Sequence, residues 1–214
     1  YRGHPGVFHY TPRDSMDALF DRLRAEVPTD SVSQDQVHIL VRRAVAAVRD
    51  GHTSVLTPFY NEQTRVMPIM AQIIGNQVFV WRNYSGDTTL RRGLEIRSVN
   101  GIPAAELLSQ CRDLCFRDGF NLSFPDVIAS VSFARFVRLL YGDVDRYHLE
   151  TISAEGQIRQ HDLAAKSRTE IQKLQEISAR ETPPRPASAW QPVLRNRNVS
   201  LLRDTARKGI SVLK

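Results

Sequence analysis

Apolar residues recur three and four positions apart in two stretches near the start of the chain. Met16, Leu19, Phe20, Leu23 and Val27 make one stripe. Val37, Leu40, Val41, Ala44, Val45 and Val48 make a second, and both spacings predict one buried face of an α-helix. Thr11-Pro12-Arg13-Asp14 reads as the first helix start. Thr11 caps it, Pro12 sits in the first turn where its missing N–H costs little, and Asp14 suits the positive end of the dipole. Pro28 closes that helix. Ser33 with Gln36 predicts a capping box for the second, Ser33 to Asp50, and Gly51 supplies a left-handed stop. The two helices are expected to pack as an antiparallel pair.

After Thr53 the pattern changes. Arg65 to Ile74 and Gln77 to Arg82 read as strands joined by a hairpin turn at Gly75-Asn76. Leu94 to Val99 is a further strand, closed by Asn100-Gly101. Pro103 opens a helix that carries Ala104, Leu107, Leu108, Cys111 and Leu114. Ser123, with Asp126 three residues on, starts another. Its buried face is expected at Val127, Val131, Ala134, Val137, Leu140 and Tyr141. Tyr147 to Ser153 and Gln157 to Leu163 predict a second hairpin. Lys166 to Arg180 fits a charged helix or a solvated strand. Pro183, Pro184, Pro186 and Pro192 then argue for a linker, because proline cannot join a helix interior or a central strand. Val199 to Leu202 and Gly209 to Leu213 read as extended pieces, and the last is expected to open a further domain. The class is α+β.

A chain of 214 residues, 42% hydrophobic, is long enough for one large domain or two small ones. The net charge of +6 comes from scattered arginines, without a basic block or interleaved aromatics, so a nucleic-acid partner is not expected. No apolar run approaches the ~18 residues of a membrane span. Cys111 and Cys115 lie four apart on a predicted helix, which suits burial and gives poor disulfide geometry. Two thiols without neighbouring histidines make a weak zinc site, so no metal or cofactor is expected.

The stretch with the most chemistry is Asp50-Gly51-His52-Thr53, which holds an imidazole just past a helix end. That position suits a group that takes up a proton. Four segments stand in order: His4-Pro5-Gly6-Val7-Phe8 with Tyr10-Thr11, then Asp50 to Ser54, then Gly93 to Gly101, then Asp118-Gly119-Phe120-Asn121. Together they resemble signature segments of the tail-specific (C-terminal-processing) peptidases and the tricorn core protease, a serine-peptidase family.

The resemblance implies a helical region (1–57), a PDZ-like β unit with its helix (58–122), a helix with a hairpin (123–165), a polar Pro-rich linker (166–198) and the start of a truncated catalytic core (199–214). The PDZ-like slot, at 66–110, would receive an extended polypeptide by strand addition. It contains no Gly-Leu-Gly-Phe type carboxylate loop. His52 occupies the slot of the general base in tricorn-like members. In other members a Ser/Lys dyad does the chemistry and this histidine is structural, and both roles stay open. No Gly-x-Ser-x-Gly elbow is present. Ser211 and Lys214 on a strand would point to opposite faces. The chain alone is therefore expected to be inactive, a substrate-handling part of a serine-type peptidase. The alternative is a non-catalytic peptide- or ligand-binding protein. The resemblance also implies an extracytoplasmic location, periplasmic or in the cell envelope.

Overall fold

Residues 3–55, 63–181, 190–195, 200–204 and 211–213 are described by the computed structural model, with side chains up to residue 177. The fold is α+β. Residues Tyr1–Gln175 form one compact unit and Glu176–Lys214 a second.

The first unit begins with α1 (Arg13–Ala25) and α2 (Gln34–Val48). The capping box at Ser33 is present in full: Gln36 N–H donates to Ser33 Oγ, and Ser33 N–H donates to Gln36 Oε1. The helix end differs from expectation. Arg49, at φ 58°, is the left-handed residue, one turn ends there, and Gly51 plays another part. At α1 the cap is Pro12, while the Thr11 hydroxyl leaves the helix to donate to Ala47 O.

The register of α2 also departs from the apolar stripe. Val37 and Val41 are 43% and 42% exposed, whereas His38, Ala46 and Val48 are buried. Polar anchors set this rotation. Asp35 accepts two hydrogen bonds from Arg138, and Arg42 donates to the carbonyls of Leu114 and Val55. The Arg42 guanidinium also lies over the Phe136 ring, 5.2 Å from its centroid. A small separate core of Val7, Met16 and Val48 joins the two helices.

The main core lies under one antiparallel sheet. Its strands are β2 (Ile69–Ile74), β3 (Gln77–Asn83), β4 (Glu95–Val99), β6 (Arg146–Ile152) and β7 (Ile158–Ala164), in the order β2-β3-β4-β6-β7 and all antiparallel. A short β5 (Ile102–Pro103) pairs with β4 across the tight Asn100-Gly101 turn. Both residues of that turn have positive φ, the requirement of a tight hairpin. The strand expected over Arg65 to Ile74 is broken at Met67-Pro68. Its first piece, β1 (Arg65–Val66), pairs instead with β8 (Lys166–Ser167).

Two helices cover the inner face of the sheet: α3 (Ala104–Asp113) and α4 (Ser123–Tyr141). α3 buries Ala104, Leu107, Leu108 and Cys111, as its pattern predicts. Cys111 and Cys115 are free and buried, and burial raises both thiols, Cys115 to about 12. α4 meets expectation in part. Ala134 and Val137 are buried, but Val127 and Val131 are 58% and 60% exposed, and Ala129, Ser130, Phe133 and Phe136 also face the core. Ser130 ties the helix to β2, Phe133 faces the start of β2, and Phe136 lies under Arg42 of α2. The cap of α4 is Asn121, whose Oδ1 accepts from the N–H groups of Ser123 and Phe124.

Residues 168–181 form α5 (Arg168–Glu181), so regular structure occupies the first part of the stretch read as linker. The prolines at 183, 184 and 186 lie outside the described residues. In the second unit, β9 (Trp190–Arg195), β10 (Ser200–Asp204) and β11 (Ser211–Leu213) make an antiparallel sheet in the order β11-β10-β9. Pro192 therefore belongs to a strand, contrary to the linker reading. It sits on an outer strand opposite Leu202, where the register shifts, the setting a strand proline needs.

Candidate functional site

Three of the four motif segments meet at one place, around the end of α2. His4 Nδ1 accepts from Gly6 N–H at 3.2 Å, which leaves its proton on Nε2. Nε2 stands 2.8 Å from Thr53 Oγ1 and 3.1 Å from Asp50 Oδ2. Thr53 Oγ1 donates in turn to Asp50 Oδ2, and His52 N–H donates to Asp50 Oδ1 at 3.1 Å. Asp50 is thus the hub. The Thr53 hydroxyl above all, then the His52 N–H and the His4 ring, hold its carboxyl well below the usual range, at about 2.

The third segment closes the cluster from the other side. Gly51 N–H donates to Asp118 Oδ1 at 2.6 Å, and Gly119 N–H donates to Arg49 O at 2.9 Å. Gly119 has φ +54°, and a Cβ there would lie 3.0 Å from the Tyr10 ring, so any side chain would be strained in backbone and would crowd that ring. Phe120 stands edge-on to Tyr10 and under the Arg49 guanidinium, 4.6 Å from its ring centroid.

His52 itself is displayed outward. Its side chain is 95% exposed, and its Nδ1 lies 3.6 Å from Asp50 Oδ1. Among the described residues it faces solvent rather than a formed cleft. The neighbouring hollow of about 320 Å³ is lined by His4, Val7, Met16, Phe20, Val48 and Thr53, without His52. Asp50, His52 and Asp118 bring three ligand-type atoms within 4.8 Å of one another and could hold a metal ion. Asp50 and Asp118 are already engaged by the hydrogen bonds above, which explain the cluster without one.

A second polar cluster escaped the sequence reading. His161, on β7, is buried, with Nδ1 2.7 Å from Asp87 Oδ2 and Nε2 2.9 Å from Thr151 Oγ1. Burial would raise the Asp87 carboxyl, yet hydrogen bonds from Thr89 and His161 outweigh it and hold the group at about 2. The order hydroxyl–imidazole–carboxylate is that of a nucleophile triad. Thr151 has no exposed surface, so no substrate carbonyl can reach it, and the cluster is a brace between the loop at Asp87 and the sheet. Thr151 and His161 share the predicted β6–β7 hairpin, but Asp87 lies more than sixty residues away on a loop whose approach to them is not written locally. Only the alternation on β6 and β7 hints that Thr151 and His161 share the inner face.

A groove with an apolar strip lies where α4 and α5 approach the start of β2. It measures about 490 Å³, with Met67, Ile69, Phe133 and Ala134 as floor and Val131 and Arg168 on its sides. β2 is the terminal strand of its sheet, the position where a peptide would add. Part of that edge is already used. Ile73 N–H donates to Ser130 Oγ at 3.0 Å, and Gln72 Nε2 donates to Ile73 O at 3.3 Å.

No family model matches the chain, and no curated protein matches it. Among solved structures it is similar to CPAF, a chlamydial serine protease of the tail-specific-protease-like kind. A serine-to-alanine mutant of CPAF aligns with a TM-score of 0.54 at 12% identity, covering 92% of this chain and 41% of that one. Mature CPAF gives 0.53 at 11%, over 92% and 40%. Mature CPAF complexed with lactacystin gives 0.55 at 12%, over 86% and 38%. The chain thus spans about two fifths of the length of those proteins and shares the fold of that portion of a serine protease. At this identity the likeness concerns fold.

Proposed function

We propose that this chain is the N-terminal, substrate-handling part of a serine-type peptidase of the tail-specific or tricorn kind. The observation that carries the proposal is the meeting of His4 to Tyr10, Asp50 to Thr53 and Asp118 to Asn121 in one bonded cluster, on a fold like part of CPAF. Its substrate would be an extended polypeptide, held through a PDZ-like β unit. The nucleophile would come from a core that this chain does not itself supply. His52 then serves as general base in the composite site. The Asp50 carboxylate, 3.6 Å from Nδ1, lies on the side where an orienting group belongs, while the ring itself faces solvent among the described residues, so the role requires the nucleophile-bearing core to close over it. The family resemblance extends the proposal to an extracytoplasmic location.

The test uses the chain as it is. It should capture a reduced, alkylated and therefore unfolded polypeptide in a pull-down, remain unlabelled by a fluorophosphonate serine probe, and leave casein intact. Labelling of a serine, or failure to capture, would overturn the proposal. In an assembly that does hydrolyse casein, His52→Ala should abolish turnover. Capture in an assembly with no hydrolysis at all would favour a binding protein on the same scaffold.

A further inference from the structure

We propose that the groove between α4, α5 and the start of β2 binds a long-chain carboxylate, such as a fatty acid, tail inward and head at Arg168. Its volume, about 490 Å³, falls within the ~300–1,000 Å³ common for small-molecule sites. The floor is apolar: Met67 and Phe133 are almost fully buried, and Ile69 and Ala134 nearly so. That strip accepts an alkyl chain, while the polar lining residues, Arg135, Gln172 and Gln175 among them, stand around it.

The edge of β2 sharpens the choice. Ser130 and Gln72 already satisfy the N–H and C=O of Ile73, so an added strand would have to displace them. An alkyl tail needs neither group. Two polar features set the head. Arg168 lies at the mouth and has no ion-pair partner among the described residues, so its fork is open to a carboxylate. Tyr84, only 8% exposed, also lines the groove, and its hydroxyl donates to Met70 Sδ at 3.7 Å. Sulfur is a weak acceptor, so a ligand oxygen would serve that donor better. Arginines at positions 135 and 168, a buried under-used hydroxyl and an apolar strip of Met67, Ile69, Phe133 and Ala134 together describe a site for an amphipathic acid.

The probe is laurate, titrated calorimetrically into the chain below its micelle concentration. The expected Kd is on the order of 10 μM. Arg168→Glu should weaken laurate about tenfold or more by reversing the charge at the head. Val131→Trp, at an exposed rim position, should weaken it comparably by filling the groove, and melting curves of both variants check that they fold. Dodecanol, with the same tail and no charge, should bind at least about tenfold more weakly. Dodecanol binding equal to laurate, or laurate affinity unchanged in either folded variant, would overturn the proposal. So would absence of laurate binding, or displacement of laurate by an amidated apolar peptide. This site goes beyond the peptidase reading, and its failure leaves that reading to be decided by polypeptide capture and serine labelling.

Discussion

Gly51 and Asp118 are matched in both chemistry and shape: the backbone N–H of one donates to the carboxylate of the other at 2.6 Å, and a Cβ at position 51 would stand 2.6 Å from that same carboxylate. The motif glycine therefore marks a close approach between segments far apart in sequence, rather than the left-handed helix stop. Gly51→Ala must push the exposed end of the Asp118 side chain away and weaken its hydrogen bond, at a cost of about 1 kcal/mol or less. In an Asp118→Ser background the same change should cost less than half as much. Urea unfolding of the four proteins gives the cycle, and equal costs in both backgrounds would show that the two residues are not coupled.

The brace around His161 predicts a stability effect with no catalytic component. Thr151→Val leaves the imidazole Nε2 buried without a partner and should cost about 1–3 kcal/mol. His161→Ala removes the bridge to Asp87 as well and opens a cavity, so roughly 2–4 kcal/mol is expected. Neither variant should alter polypeptide capture once folded. A Thr151→Val protein that melts like the parent would mean the hydroxyl contributes nothing to the brace.

Much of the fold was legible because local signals and tertiary needs agree. The capping box at Ser33, the two hairpins, the Asn100-Gly101 turn and the buried stripe of α3 all rest on neighbours within a few residues. The registers of α2 and α4 were only partly legible, because both helices are held on more than one side and partly by polar anchors. Arg42 and Asp35 fix α2, and Ser130 ties α4 to β2, so apolar periodicity was right for Val48 and Val137 and wrong for Val37, Val41, Val127 and Val131. At the candidate site, the motif segments were found but their roles were not. The Asp50 and Thr53 spacing, typical of a side chain bonding its own turn, was the available signal that Asp50 rather than His52 holds the cluster together.

Val41→Asp gives a clean test of the α2 register. Had the valine stripe faced the core, an unpaired buried charge would unfold the pair. With Val41 42% exposed, the change should cost no more than about 1 kcal/mol. Ala46→Asp, on the buried side, should be severely destabilising by the same logic. Thermal melts of both variants decide between the two rotations, and the reverse order of effects would restore the stripe.

His52 and Asp50, two residues apart, should separate sharply in their effect on folding. His52→Ala removes an exposed ring and should change stability by no more than about 0.5 kcal/mol. Asp50→Ala removes the acceptor for Thr53, His4 and the His52 N–H, and should loosen the whole cluster. Hydrogen exchange at the amides of Gly51 to Thr53 and Gly119 reads this directly. Equal protection in Asp50→Ala and the parent would show that the hub is not Asp50.

Acid should weaken the first unit through two carboxylates. Asp50 and Asp87 are both held at about 2 in the folded chain, against ~3.9 for an unfolded aspartate. Between those values the unfolded chain binds more protons, so stability falls as the pH drops. The contribution of each is whole above about pH 4 and is lost as the pH falls through 2. At neutral pH both groups are ionised and the contribution is flat. Denaturant midpoints measured from pH 6 down to pH 2 should therefore decline chiefly below about pH 4. Asp50→Asn and Asp87→Asn should each start lower at neutral pH and lose less on acidification. A variant that tracks the parent's slope through that window would exclude its carboxylate as a source of the acid sensitivity.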